Sequence, residues 1–306
     1  MALRETEDID KPKTKKRSYR FVKLPNHLSV WLVSDPAADL ASAALDINVG
    51  SYFDPPPVEG LAHFCEHMLF LGTEKFPDET EYSNFIKQHG GCTNAYTEHT
   101  HTNYHFSVAP EHLEGGSEGT GADVRHELLA FHKTWYSANI MTLVGLGKDS
   151  LDCLQGMVEK YFGTIKDKQV PTPGEPSIAG AFLTSPGMKA KGSLLSALKN
   201  EGLAISLNSW SLDEECVSIF YISIELTEQG ASDAGLERVE DLVFLSLSLL
   251  RTSRVQEWVF EESRWLAEMG FRFADTENPL PFCVVHAKHL HRYPPERLRL
   301  RRLKKA

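Results

Sequence analysis

The sequence predicts an α+β fold, a sheet packed against helices, and three observations carry that prediction. Ala43, Leu45, Ile47 and Val49 alternate with Asp46 and Asn48, the period of a half-buried strand. Leu61, Phe64, Cys65, Met68 and Leu69 recur at helical spacing and form an apolar stripe. Strand and helix patterns then interleave irregularly, without the regular β–α–β alternation of a doubly wound parallel sheet.

Each element has its own local reason. Leu28, Val30 and Leu32 share one side of a strand over 28–33, and the strand around Ala43–Val49 follows. Gly50 and Pro55-Pro56-Pro57 close this sheet region, because Gly and Pro punctuate regular structure. The stripe helix comes next, with Gly72 as its stop. Asp78 followed by Glu81 reads as an N-cap with a capping-box acid, opening a helix through Tyr82, Phe85, Ile86 and His89 that ends at Gly90-Gly91. Thr93–Thr97 and Tyr104–Val108 read as strands. Glu114–Gly121 is a small, Gly-rich loop. A helix over 123–137 places Val124, Leu128, Phe131 and Trp135 on its apolar side, and Ile140–Leu146 is a strand. Asp149 or Ser150 caps a helix reaching Phe162.

The stretch 170–187, rich in Pro, Gly, Ser and Ala, is the expected domain boundary. Beyond it a helix (193–199), two strands (204–210 and 217–226) and two long helices (236–250 and 256–269) repeat the α+β pattern. The Arg- and Lys-rich end, 292–305, reads as a frayed tail.

Composition bounds the function. With 306 residues, 42% of them hydrophobic, the chain is long enough for two domains with cores. A net charge of −10 argues against nucleic acid, since phosphate contacts need clustered Lys and Arg. The polar, acidic start has no apolar core of a secretory signal, and no run approaches a membrane span. Cys65, Cys92, Cys153, Cys216 and Cys283 are an odd number without framework spacing, the usage of free thiols in a reducing compartment. A cytoplasmic location is therefore expected. Lys11–Arg17 reads as a solvated basic tail, with a nuclear-type address as the alternative.

The chemistry concentrates in His63-Phe64-Cys65-Glu66-His67. Histidines four apart lie on one side of a helix, and a glutamate stands directly before the second. This H-x-x-E-H order lets both imidazoles hold one Zn2+ while the glutamate handles a water proton. His63, Glu66 and His67 are expected on a face away from the apolar stripe, towards a cleft or solvent. Two histidines do not complete such a site, because a catalytic zinc takes a third protein ligand.

The wider stretch 60–73, Gly-Leu-Ala-His-Phe-Cys-Glu-His-Met-Leu-Phe-Leu-Gly-Thr, closely resembles the motif helix of the insulin-degrading branch of the pitrilysin-like (M16) zinc peptidases. The resemblance continues through Glu81-Tyr82-Ser83, Thr93–Thr97, His101–Phe106, 123–132, 192–195 and 256–260, and so covers residues 18 to about 281 in patches. It implies a zinc metalloendopeptidase of repeated M16-type domains with a mixed or antiparallel sheet. His63 and His67 match its zinc ligands and Glu66 its catalytic base. Asn94 and Ala95 match the edge-strand positions that pair with a substrate backbone; the plain alternative for Asn94 is a turn residue.

The departures are equally specific. The family's third ligand is a glutamate in a run resembling Glu-Val-x-x-Val-x-Ser-Glu, and no such run occurs here. The resemblance stops at Glu111–Gly115 and restarts at Asp123; it jumps again around 171–191, and the Arg-rich end leaves it. The expected organisation is thus a basic tail (1–17), a zinc domain (18–170) with an internal deletion near 115–122, a junction (171–191) and a shortened second domain (192–306). Glu111, Glu114 and Glu118 are the local candidates for a third ligand. His99, His101 and His105 form a second cluster, with His99 and His101 on one strand face; the bland reading is a polar edge segment. Cys65 is expected to fill core.

The resemblance implies peptide substrates, no membrane, and a homo-oligomer or a complementary M16 half as partner, the opposing half of the chamber being absent. The rival to a peptidase impaired by loss of the ligand segment is a catalytically inactive M16-like binding or regulatory subunit, or a truncated product.

Overall fold

The computed structural model describes residues 4–6, 16–56, 58–71, 78–116, 126–171, 193–213, 218–252, 257–273 and 277–294. They fall into two compact units, one drawn from 1–173 with 269–302 and the other mainly from 174–268.

The first unit is a seven-stranded sheet covered on both faces. Its strands are β1 (Arg4–Thr6), β2 (Ser18–Lys23), β3 (Ser29–Ser34), β4 (Ala41–Ile47), β5 (Cys92–Thr97), β6 (Thr102–Val108) and β7 (Met141–Gly147), in the spatial order β1-β2-β3-β7-β4-β6-β5. Only β3 and β7 pair in parallel; every other pairing is antiparallel. The mixed sheet is the one expected.

Its helices are α1 (Leu61–Met68), α2 (Glu81–Gln88), the single turn α3 (Leu113–Gly116), α4 (His126–Trp135), α5 (Leu151–Phe162) and α9 (Pro279–Leu290). Side chains alternate across each strand, so β3 sends Val30 and Leu32 to one face and Trp31 and Val33 to the other. On the first face Val30, Leu32, Ile47, Phe106 and Leu143 meet Leu61, Cys65, Ile86, Leu128, Phe131 and Leu154 of the helices. On the second, Tyr19, Phe21, Trp31, Ala44 and Val144 meet Phe282, Cys283 and Ala287 of α9.

Helix α9 was not foreseen, and it ends the main run of the second unit at 268 rather than at the expected 306. A segment expected in the second domain lies on the sheet of the first unit, where the Phe282 ring packs at a tilt with its centroid 5.5 Å from that of the fully buried Trp31. Pro279 and Pro281 argue against a helix, yet Pro is tolerated in a first turn whose N–H groups have no helical partner. Asn278 caps that turn by accepting from the Leu280 N–H.

The expected tail over 1–17 is likewise partly structured. Arg4–Thr6 pairs with Phe21–Lys23, and Arg17 is buried against Asp35 at 2.6 Å. Its guanidinium also donates to the Glu277 carbonyl and lies over the Phe282 ring, tying the start of β2 to the approach of α9.

Helix starts were legible in part. Ser150 is the N-cap of α5, accepting from the Cys153 N–H, which decides between it and Asp149. Asp78 instead closes a turn onto Thr80, one step before α2 begins.

The second unit pairs β8 (Ala204–Asp213) with β9 (Ser218–Leu226) and adds α6 (Leu194–Asn200), capped by Ser193, α7 (Asp233–Thr252) and most of α8 (Glu257–Arg272). Leu198, Leu203, Leu207, Val239 and Leu242 make its small core. Phe244, Leu249, Trp265 and Leu266 remain at least half exposed. The junction 172–192, the expected loop tip at Glu118, Gly72 and the Arg-rich end beyond 294 lie outside the described residues.

Two predictions follow from the covered sheet. Phe282→Ala is expected to destabilise the chain by about 3–5 kcal/mol in urea unfolding, as a large buried aromatic is lost; a loss under about 1 kcal/mol would mean that α9 is not a structural cover. His101, His105 and His132 are each held below the ordinary histidine pKa, chiefly by burial. Unfolded, they protonate near pH 6.5; folded, they stay neutral to lower pH, so stability must fall as pH drops below about 6.5. The urea midpoint is expected to fall between about pH 7 and 5.5, and His101→Gln to flatten part of that slope.

Candidate active site

Helix α1 and the edge strand β5 build the site together. The helix opens after Gly60, whose positive φ of 86° suits a residue without Cβ. Asp54 accepts from the N–H groups of Gly60 and Ala62, satisfying donors that the first turn cannot.

The buried side of α1 is Leu61, Ala62, Cys65 and Glu66. This differs from the expected stripe in two ways. Phe64 is 52% exposed, and Glu66 is buried at 5% rather than turned to solvent with the histidines. The reason is angular: positions 61, 62, 65 and 66 repeat at i, i+1, i+4 and i+5, so Glu66 falls beneath Ala62 and faces the sheet. The Thr97 hydroxyl, at the end of β5, donates to its Oε2 at 2.6 Å and satisfies the buried carboxylate. Thr97 was not singled out in the sequence. Its alternation with Ala95 and Thr93 was the available signal, but the pairing needs the helix placed on the sheet.

His63 and His67 stay exposed one turn apart, with their Nε2 atoms 2.9 Å from each other. Two nitrogens on one tetrahedral zinc stand about 3.3 Å apart for Zn–N bonds of about 2.0–2.1 Å. Opening this pair by a few tenths of an ångström suits a shared metal, and Glu66 Oε2 lies 3.7 Å from His63 Nδ1. The donor set fits zinc as far as it goes. Among the described residues no group of three His, Cys, Asp or Glu side chains gathers as a metal site.

Neither described local candidate for a third donor, Glu111 or Glu114, gathers with the two histidines. The Glu114 carboxylate accepts from Lys160 at 2.7 Å and from the Tyr161 hydroxyl at 2.8 Å, contacts that hold its pKa below the usual carboxylate value. Glu111 is exposed in the turn before α3, and Glu118 lies outside the described residues. The second histidine cluster also dissolves. His99 and His101 sit in the β5–β6 turn rather than on a strand: His99 stacks on Tyr52 and bonds Ser51, whereas His101 is buried with neither ring nitrogen hydrogen-bonded. His105 bonds Asn103 instead. Cys65 fills core, and burial pushes its thiol pKa up, against thiolate chemistry.

Asn94 and Ala95 lie mid-strand in β5, opposite His105 and Tyr104 of β6. Asn94 is exposed and Ala95 buried, and β5 is the last strand of the sheet. One backbone edge of β5 therefore has no strand partner among the described residues.

Residues 29–116 match the family described as Insulinase (Peptidase family M16), and residues 123–189 match the Peptidase M16 inactive domain. The chain belongs to peptidase family M16. It is 34% identical to insulin-degrading enzyme of Mus musculus over 405 aligned positions, which take in 96% of this chain and 39% of that protein. It is 31% identical to the A-factor-processing enzyme of Saccharomyces cerevisiae, across 89% of this chain and 37% of the relative. The M16 chain thus spans about two fifths of the length of these curated relatives. The crystal structure of pitrilysin superposes with a TM-score of 0.88 at 22% identity, covering all of this chain and 44% of pitrilysin. A protease from Helicobacter pylori shares the fold at a TM-score of 0.66 and 13% identity, over 95% of this chain and 94% of its own.

The Glu66–Thr97 contact makes a stability prediction. Thr97→Val removes a donor from a buried carboxylate and is expected to cost about 1–3 kcal/mol. In a Glu66→Leu background the same change is expected to cost less than half as much, read by urea denaturation. Equal costs in both backgrounds would show that the contact does not hold the helix to the strand.

Proposed function

We propose that this chain carries the zinc-dependent endopeptidase site of an M16 peptidase, two metal ligands and a base, and that by itself it is a weak enzyme. The observation behind this reading is the arrangement on α1: two imidazoles converge at 2.9 Å while Glu66 is fixed beside them by Thr97. His63 and His67 would hold the ion. Zinc bound there supplies Lewis acidity, polarising a peptide carbonyl and acidifying water.

The remaining work belongs to the chain. Glu66 takes a proton from water and delivers it to the leaving amine. Thr97 keeps that carboxylate at the β5 end, where a substrate would lie. The open edge of β5 at Asn94 and Ala95 receives an extended peptide by backbone pairing, which selects conformation more than sequence. Peptides are the proposed substrates. No described helix is long and apolar enough to cross a membrane, and a cytoplasmic site of action is proposed from the cysteine usage.

A second reading has its own observation. The lack of a third donor among the described residues favours a non-catalytic M16 subunit that keeps the fold to bind peptides or a partner half.

Metal and turnover separate the two. The purified chain is expected to bind one zinc at micromolar free metal, and His63→Ala or His67→Ala to abolish binding. Glu66→Gln is expected to keep the zinc and lower cleavage of a fluorogenic peptide by about 10²-fold or more. A chain that binds no zinc is not a peptidase by this site, and equal rates for wild type and Glu66→Gln assign the cleavage to a contaminant.

A further inference from the structure

The helices do not fill the space over the first face of the sheet. A cavity of about 840 Å³ opens over it, floored by Leu45, Phe106 and Leu143 from three neighbouring strands. Leu69 and Phe70, directly after the motif helix, and Leu129 of α4 wall it. Lys133, Lys166 and Lys168 also line it. Burial, and then the positive charges of Lys166 and Lys133, hold the Lys168 pKa below the ordinary lysine value. The cavity is therefore apolar at its base and cationic at one flank.

Its size suits polypeptide. A helix about 10–12 Å across that rises 1.5 Å per residue fills on the order of 120–170 Å³ per residue, so the space holds five to seven residues, up to two turns. The 405 positions aligned with the mouse enzyme exceed the 306 residues of this chain, so roughly a hundred of that relative's positions have no counterpart here. The two family matches part between 116 and 123, immediately before the α4 helix that walls the cavity. Elsewhere the same sheet face is closed by helices.

We propose that this cavity is a receptor for a short amphipathic helix supplied by a second polypeptide. Apolar residues of that helix seat on Leu45, Phe106 and Leu143, and acidic residues pair with Lys133, Lys166 and Lys168.

Fluorescence anisotropy on the full chain, with EDTA present, tests this. The probes are labelled synthetic peptides that tile the part of mouse insulin-degrading enzyme lying between its stretches aligned with 29–116 and 126–171 of this chain. One peptide is expected to bind saturably in the micromolar range. Leu129→Asp, at an exposed position, and the double variant Lys133→Glu/Lys166→Glu are each expected to weaken it about tenfold or more without changing the thermal midpoint. No binding at about 1 mM peptide, or binding that ignores both variants, overturns the proposal. So does a cavity that takes up dodecanoate but none of the peptides, since it is then a pocket for small amphiphiles.

Discussion

Both faces of the seven-stranded sheet have to be kept from water, and the rest of the first unit is arranged to meet that requirement. Its central strands are apolar on both sides: Val30 and Leu32 face one way, Trp31 and Val33 the other, and all four are fully buried or nearly so. A sheet of this kind is stable only between two helical layers. Five helices, the single turn α3 among them, supply one layer, and α9, arriving from residues 279–290, supplies the other. The Arg17–Asp35 pair, both side chains under a tenth exposed, fastens the strand entering the sheet to the segment leading into α9.

The active-site geometry is a by-product of the same covering. Helix α1 must bury Leu61, Ala62 and Cys65, and that orientation turns Glu66 into the interface while leaving His63 and His67 outside. A carboxylate in such a place needs a partner, and the last residue of the edge strand provides one. The proposed base is thus held by packing and one short hydrogen bond, whereas the proposed metal ligands stand exposed on their own helix. That asymmetry accounts for a site with a positioned base and an incomplete ligand set.

Much of this was legible locally. The motif, the helical stripe and the alternating strands depend on residues within a few positions of each other, and α1, α2, β3 to β7 and α5 appear close to where the pattern put them. What escaped depends on contacts distant in sequence. Tyr19 and Phe21 of β2 sit among Arg17, Arg20 and Lys23, and their burial is decided by α9 some 260 residues later. Phe64 occupied an apolar position by periodicity but finds no surface to cover it. Glu66 looked like one of three polar residues facing a cleft or solvent, away from the apolar stripe, until the sheet gave its carboxylate a donor. His99 and His101 looked like strand neighbours until a turn sent one outward and the other into the core.

The cavity beside α4 is lined by apolar side chains, Leu69, Phe70 and Leu129 among them, over a sheet whose own Phe106 and Leu143 are buried. The alignment with the mouse enzyme is about a hundred positions longer than this chain. Filling such a cavity removes apolar surface from water at about 25 cal/mol per Å². A chain in this state gains from any apolar segment that closes the cavity, and the neighbouring lysines favour one with acidic residues. The second unit shows the same shortfall, with Phe244, Leu249, Trp265 and Leu266 at its surface.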